Sequence, residues 1–191
     1  MSTLQYFNVP LDGQRGNIMM PKPKNRFRLR VFNFGPILGG IEFTQNVASM
    51  TEPGLTHPEQ EVHSYNSTAY YAGKHNWSTF NVTLRDDITN SVLRLVGHQM
   101  QKQTNHLQQT SALAGSNYKF DMKLDAMDGA EGVLATKHFE GCFVQSWEGT
   151  DWDFSTSDPA TIQLTIRPDN VIVENGLFPV NPELTTGFFI N

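Results

Sequence analysis

A chain of 191 residues, 38% hydrophobic and 17% charged, can bury one substantial core but is cramped for two ordinary domains. Its single cysteine, Cys142, excludes an internal disulfide framework and a cysteine-based zinc cluster, and suits a reducing compartment. The net charge of -5 is unevenly spread: residues 1–50 hold six bases and two acids, residues 121–191 three bases and twelve acids. Such a gradient suits a basic face of one copy meeting an acidic face of the next, or a solvated surface.

Residues 1–24 are rich in Asn, Gly and Pro and lack periodicity, which predicts an extended arm whose apolar residues Leu4, Tyr6, Phe7, Ile18 and Met19 dock on the body or on a neighbour. Met1 to Pro10 shows no secretion signal and no stretch is long enough for a transmembrane helix, so the expectation is a chain kept in the cytosol without a membrane anchor. From Asn25 to Phe34 a strand is expected, with Arg26, Arg28 and Arg30 alternating with Phe27, Leu29 and Val31, and a bulge at Phe32 where the phase breaks. Ile41, Phe43, Gln45 and Val47 alternate with polar neighbours as a second strand. A break, Ala48-Ser-Met-Thr-Glu-Pro53-Gly54, precedes a polar extended stretch to Gly73. Trp77 to Arg85 is a half-buried strand with Phe80, Val82 and Leu84 on one side and Thr79, Asn81 and Thr83 on the other.

One helix follows, because Ile88, Val92, Leu95, Val96 and Met100 recur at helical spacing and Asp86 or Asp87 can cap its start; it is expected to run to about Gln108. Strand structure resumes at Tyr118 to Asp125, continues over Val133 to Trp147 and, after an acidic loop from Gly149 to Pro159, over Thr161 to Arg167. Residues 175–191 are expected to form a second extension.

No motif carries chemistry. No two of the six histidines stand three or four apart, the Asp151-Trp-Asp153 run lacks the glycine and terminal glutamate of a calcium loop, and no serine-nucleophile, phosphate-loop or dinucleotide pattern occurs. Catalytic residues, cofactors and metals are therefore all expected to be absent. Lys22, Lys24, Arg26, Arg28 and Arg30 interleave with Phe27, but one basic strand in an acidic chain is a weak nucleic-acid footprint.

The order of elements is the most specific feature. Strand 25–34, strand 41–47, the Pro53-Gly54 break, the polar stretch to Ala72-Gly73, strand 77–85 and then the helix, followed by Phe139-Glu-Gly141, Trp147, Asp151-Trp152-Asp153 and strand 161–167, resemble the tail tube proteins of contractile-tailed bacteriophages over residues 25–174. The resemblance implies a mainly β domain of two packed antiparallel sheets with one flanking helix. It also implies assembly as hexameric rings stacked head to tail in a virion tail built in the host cytoplasm. The implied partners are further copies of the chain, a tail sheath protein and a baseplate hub or tube initiator, with a tape measure protein and DNA passing through the lumen without sequence-specific binding.

It places a ring-stacking hairpin over about 48–73, with Met50, Pro53, Gly54, Leu55, Tyr65 and Tyr70 as candidate contacts. Arg26, Arg28 and Arg30 are candidate intersubunit charges. Thr79, Asn81 and Thr83, or Lys119, Asp121, Lys123 and Asp125, are candidate lumen faces, since a wet channel needs a polar wall. The rivals are a baseplate tube initiator, a tube terminator or a secretion-system inner tube. More remote are a monomeric carbohydrate-binding sandwich and a hydrolase.

Overall fold

A computed structural model of the chain describes residues 21–130 and 132–174. Of the expected N-terminal arm only Pro21 to Lys24 fall within that range, and the expected C-terminal extension lies outside it. The described elements are strands β1 (Phe27–Phe32), β2 (Gly40–Glu42), β3 (Val47–Met50), β4 (Leu55–Thr56), β5 (Glu59–Ser64), β6 (Ser67–Ala72), β7 (Asn76–Trp77) and β8 (Phe80–Arg85), then helix α1 (Ser91–Gln103). After the helix come β9 (Thr104–Asn105), β10 (Thr110–Ser111), β11 (Phe120–Met127), β12 (Val133–Glu148), β13 (Thr161–Arg167) and β14 (Asn170–Glu174).

The body is an antiparallel sandwich whose two layers share one long strand. The first half of β12 pairs with β11 and β14, giving a layer ordered β2-β1-β11-β12-β14, and its second half pairs with β13, giving β12-β13-β8-β3. The crossing point is Gly141, which takes a left-handed φ of 62° where the β11–β12 register shifts, the geometry of a glycine bulge. Its N–H, freed from the ladder, donates to Asp121 Oδ1 at 2.9 Å. Alternation in each strand sends one side chain in two between the layers, where Leu29, Val31, Met122 and Phe139 of the first meet Phe80, Val82, Leu84, Leu164 and Ile166 of the second. Phe80 stacks on Phe139 at 5.2 Å, and Phe34 packs edge-on against both Phe43 and Phe120.

Helix α1 closes one flank. Val92 and Val96 are buried and Leu95 and Met100 pack against the core. Two glutamines share this face and satisfy backbone groups that the sandwich leaves open. Gln99, fully buried, accepts from Gly35 N–H at 3.0 Å and donates to the Tyr118 carbonyl at 2.5 Å. Gln103 bonds both the N–H and the carbonyl of Val144, at 3.1 and 2.9 Å.

The structure corrects several expected boundaries. The strand foreseen over 41–47 is two strands, because Asn46 and Val47 N–H both turn back to the Phe43 carbonyl and carry the chain from the first layer to the second. Apolar alternation persists across this turn because β2 and β3 face the same core. Strand 77–85 is likewise divided into β7 and β8. The phase break at Phe32 is a strand end rather than a bulge, since Asn33 adopts φ 59° directly after it. Strand β11 starts at Phe120, two residues later than Tyr118. The helix begins at Ser91, where Asp87 accepts its N–H at 2.8 Å, and stops at Gln103, where Thr104 turns extended; Ile88 is therefore outside it and fully exposed. Strand β14 falls in a stretch where no strand is expected.

Candidate assembly surfaces

Between β3 and β8 the chain leaves the second layer as a projecting hairpin. At its root Thr51 N–H donates to the Asn81 carbonyl, and Gly54 exchanges bonds with Ser78: Gly54 N–H to Ser78 Oγ at 2.8 Å, Ser78 N–H to the Gly54 carbonyl at 2.9 Å. Above the short β4–β7 pair, Gly73 N–H donates to the Pro58 carbonyl, an approach so close that a Cβ on Gly73 would lie 2.7 Å from that oxygen. β5 and β6 then pair over six residues each, from Glu59↔Ala72 to Ser64↔Ser67, and every residue of both is exposed.

The expected stacking contacts divide accordingly. Tyr65 and Tyr70 stand on the projecting part, and Pro53 and Gly54 lie in its root. Met50 sits in β3 and Leu55 in β4, both half-buried against the core, and residues 48–50 belong to the body rather than the hairpin.

The outer face of the first layer is charged, and three of its cations converge on one carboxylate of the same chain. The register sets Arg28 opposite Asp125, Arg30 opposite Lys123, and Thr136 opposite Asp125. Asp125, 1% exposed, accepts from Arg28 Nε and Nη2 at 3.2 and 2.9 Å, from Arg30 Nη2 at 2.7 Å and from Thr136 Oγ1 at 2.8 Å, with Lys123 Nζ 4.0 Å away. Burial pushes this carboxyl up, but the hydrogen bonds from Arg28, Thr136 and Arg30 and the Arg30 charge together hold it below its ordinary value. Arg26 donates instead to the Asp128 carbonyl at 2.5 Å.

The acidic half that Arg28 and Arg30 meet is thus their own chain's. The polar wall expected over 119–125 is also changed: Asp125 is buried, Asp121 caps the Gly141 bulge, and Lys119 is paired with Asp169.

The outer face of the second layer differs in kind. Asn81, Thr83, Gln163, Thr165 and Ser49 share it through the β3–β8–β13 register, and Thr165 Oγ1 donates to Asn81 Oδ1 at 3.0 Å. This mid-face is polar and uncharged. Thr79 lies in the short break before β8.

Cys142 is fully buried, and burial, followed by the nearby Asp121 and Asp169 carboxylates, pushes its thiol up, so it stays protonated. Among the described residues no group of three or more His, Cys, Asp or Glu is placed to hold a metal.

No protein-family profile matches the chain, and no curated protein matches it in sequence. Solved structures do. A chain of the six-fold-symmetrised baseplate of the anti-feeding prophage superposes with a TM-score of 0.63 at 10% identity, over 83% of this chain and 99% of that one. A chain of the sheath-tube complex of an extracellular contractile injection system, PVC, in its extended state gives 0.57 at 18% identity, over 91% and 98%. The SPP1 tail tube gives 0.50 at 11% identity, over 85% and 84%. The chain has the tail-tube fold. At these identities the likeness concerns architecture alone: the mainly β sandwich of antiparallel sheets and the single flanking helix. The tail-tube fold is common to a baseplate chain, a chain of a sheath-tube complex and a phage tail tube, so it does not by itself separate these roles.

Proposed function

We propose that this chain is a structural subunit of a hollow tube, closing into hexameric rings that stack head to tail, in a phage tail or a contractile injection system. The observation that carries this reading is the fully exposed β5–β6 hairpin. An isolated two-stranded hairpin is marginal in water, and twelve exposed strand residues with Val62, Tyr70 and Tyr71 among them, and Tyr65 in the turn between, favour cover from another molecule. A contact from the end of one copy to a different surface of the next is heterologous, and when it is repeated by translation along one axis it does not close and produces a filament. The near-complete coverage in the match to a chain of a sheath-tube complex supports the same role.

Within the ring, the outer face of the second layer, uncharged at its middle with Arg85, Arg167 and Glu148 towards its ends, is the better lumen wall. A conduit for DNA works best with hydrogen-bonding groups and no row of cations, since phosphate neutralisation would hold the cargo. Asn81, Thr83 and Thr165 meet that requirement. A tape measure protein and DNA would pass along it, with a sheath outside. The baseplate match favours a second reading, a ring at the base of the tube rather than along it.

Replacing residues 57–75 by a two-residue turn separates assembly from folding. Rings persist and tubes vanish in electron micrographs if the hairpin stacks rings; tubes of normal length from the truncated chain would refute the proposal.

A further inference from the structure

The hairpin has two unlike faces. In the β5–β6 register one face carries Glu59, Glu61, His63 and Tyr70, and the other carries Gln60, Val62, Ala69 and Tyr71, without a charge. At the opposite end of the same layer is a second exposed apolar feature. β13 runs antiparallel to β8, Ile166 opposite Phe80 and Thr161 opposite Arg85, so the hairpin leaves one end of the layer and the loop joining β12 to β13 closes the other. That loop, residues 149–160, presents Trp152 and Phe154 almost fully to solvent, among Asp151, Asp153 and Asp158. Asp153 holds a turn by accepting from Ser155 N–H and Oγ at 2.9 and 2.6 Å, with Trp152 and Phe154 as its two chain neighbours.

We propose that the loop at 149–160 is the receptor for the hairpin of a second copy, with Trp152 and Phe154 packing on its uncharged face. This rests on the tube reading and names the surface that reading leaves open. Three observations carry it. The two uncovered apolar features sit at opposite ends of one layer, so axial translation of a second copy brings one towards the other. β5 and β8 each have six residues, about 20 Å of strand, so the hairpin spans roughly one layer height. The acids of the loop repel Glu59 and Glu61, which leaves the Val62 and Tyr71 face as the one that can approach.

Two double variants test it on the full chain, Trp152→Ser with Phe154→Ser, and Val62→Ser with Tyr71→Ser, beside Leu113→Ser as an exposed apolar control elsewhere. Circular dichroism confirms folding, and sedimentation with electron microscopy reads rings and tubes. Both doubles should keep rings and raise the concentration needed for tubes about tenfold or more, with the control unchanged. Tubes like the parent's from either double overturn the pairing while leaving the tube reading intact. Loss of rings in the loop double assigns 149–160 to lateral contact and also overturns it. A parent chain that gives neither rings nor tubes refutes the tube reading, and the pairing with it.

Discussion

Replacing Asp125 by Ala removes the hub of the first layer's outer face, and the structure sets the size of the effect. The Thr136 hydroxyl, itself buried, loses its acceptor, a cost of about 1 kcal/mol. Arg28 and Arg30 lose charge-assisted bonds, but their side chains are 35% and 33% exposed, so water recovers much of each and about 0.5–1 kcal/mol apiece is the discounted contribution. With Lys123 adjacent, three cations then face one another without a carboxylate. The expected loss is about 2–4 kcal/mol, below the full penalty for a deeply buried pair.

Urea unfolding followed by tryptophan fluorescence measures it, at a protein concentration where neither chain assembles, because self-association would add apparent stability. The pH dependence gives an independent sign. A carboxyl held below its ordinary 3.8 in the folded chain stabilises fully above that value, and its contribution disappears as pH falls through the lower folded value. The wild type should therefore lose stability into that acid window more steeply than Asp125→Ala. A loss under about 0.5 kcal/mol at neutral pH, or parallel acid curves for the two chains, would refute the hub.

Two further substitutions probe the frame around the surfaces. Gly141→Ala places a Cβ 2.5 Å from Asp169 Oδ2 at a left-handed φ, and should cost about 1–2 kcal/mol in the same unfolding assay, while Gly97→Ala, inside the helix with open space around it, should stabilise by about 0.5–1 kcal/mol. Gln103→Ala strips the side-chain amide from both polar groups of Val144; a loss of about 1–2 kcal/mol is expected. Faster light-scattering growth should accompany it, because an edge of β12 is opened.

The sequence made the layers legible because one face of each strand is buried: alternation at Phe27–Val31, Phe80–Leu84, Phe120–Leu124 and Ile162–Ile166 marks the core side directly. Periodicity does not mark where a strand changes layers. Phe43 and Val47 read as one strand because both sides of the turn feed one core, and only the bonds to the Phe43 carbonyl reveal the bend. Spacing alone draws Ile88 into the helix, whereas the Asp87 bond to Ser91 fixes the start four residues later than Asp87 itself.

The burial of Asp125 depends on strand register, which places Arg28 opposite it across ninety-seven residues of chain and leaves no local trace. Gln99 and Gln103 did leave one. With Val92 and Val96 they continue the helix's inward stripe, and polar residues in that stripe signal buried backbone groups needing partners. The order of elements that resembles tail tubes has its counterpart in the tail-tube fold, and the long polar stretch after Gly54 is the projecting hairpin.

The most direct test of tube formation is negative-stain electron microscopy of the purified full chain across a concentration series. Stacked six-fold rings or hollow tubes that lengthen with concentration are the predicted result. A monodisperse monomer at the highest concentration, with no ring in any field, would contradict the account.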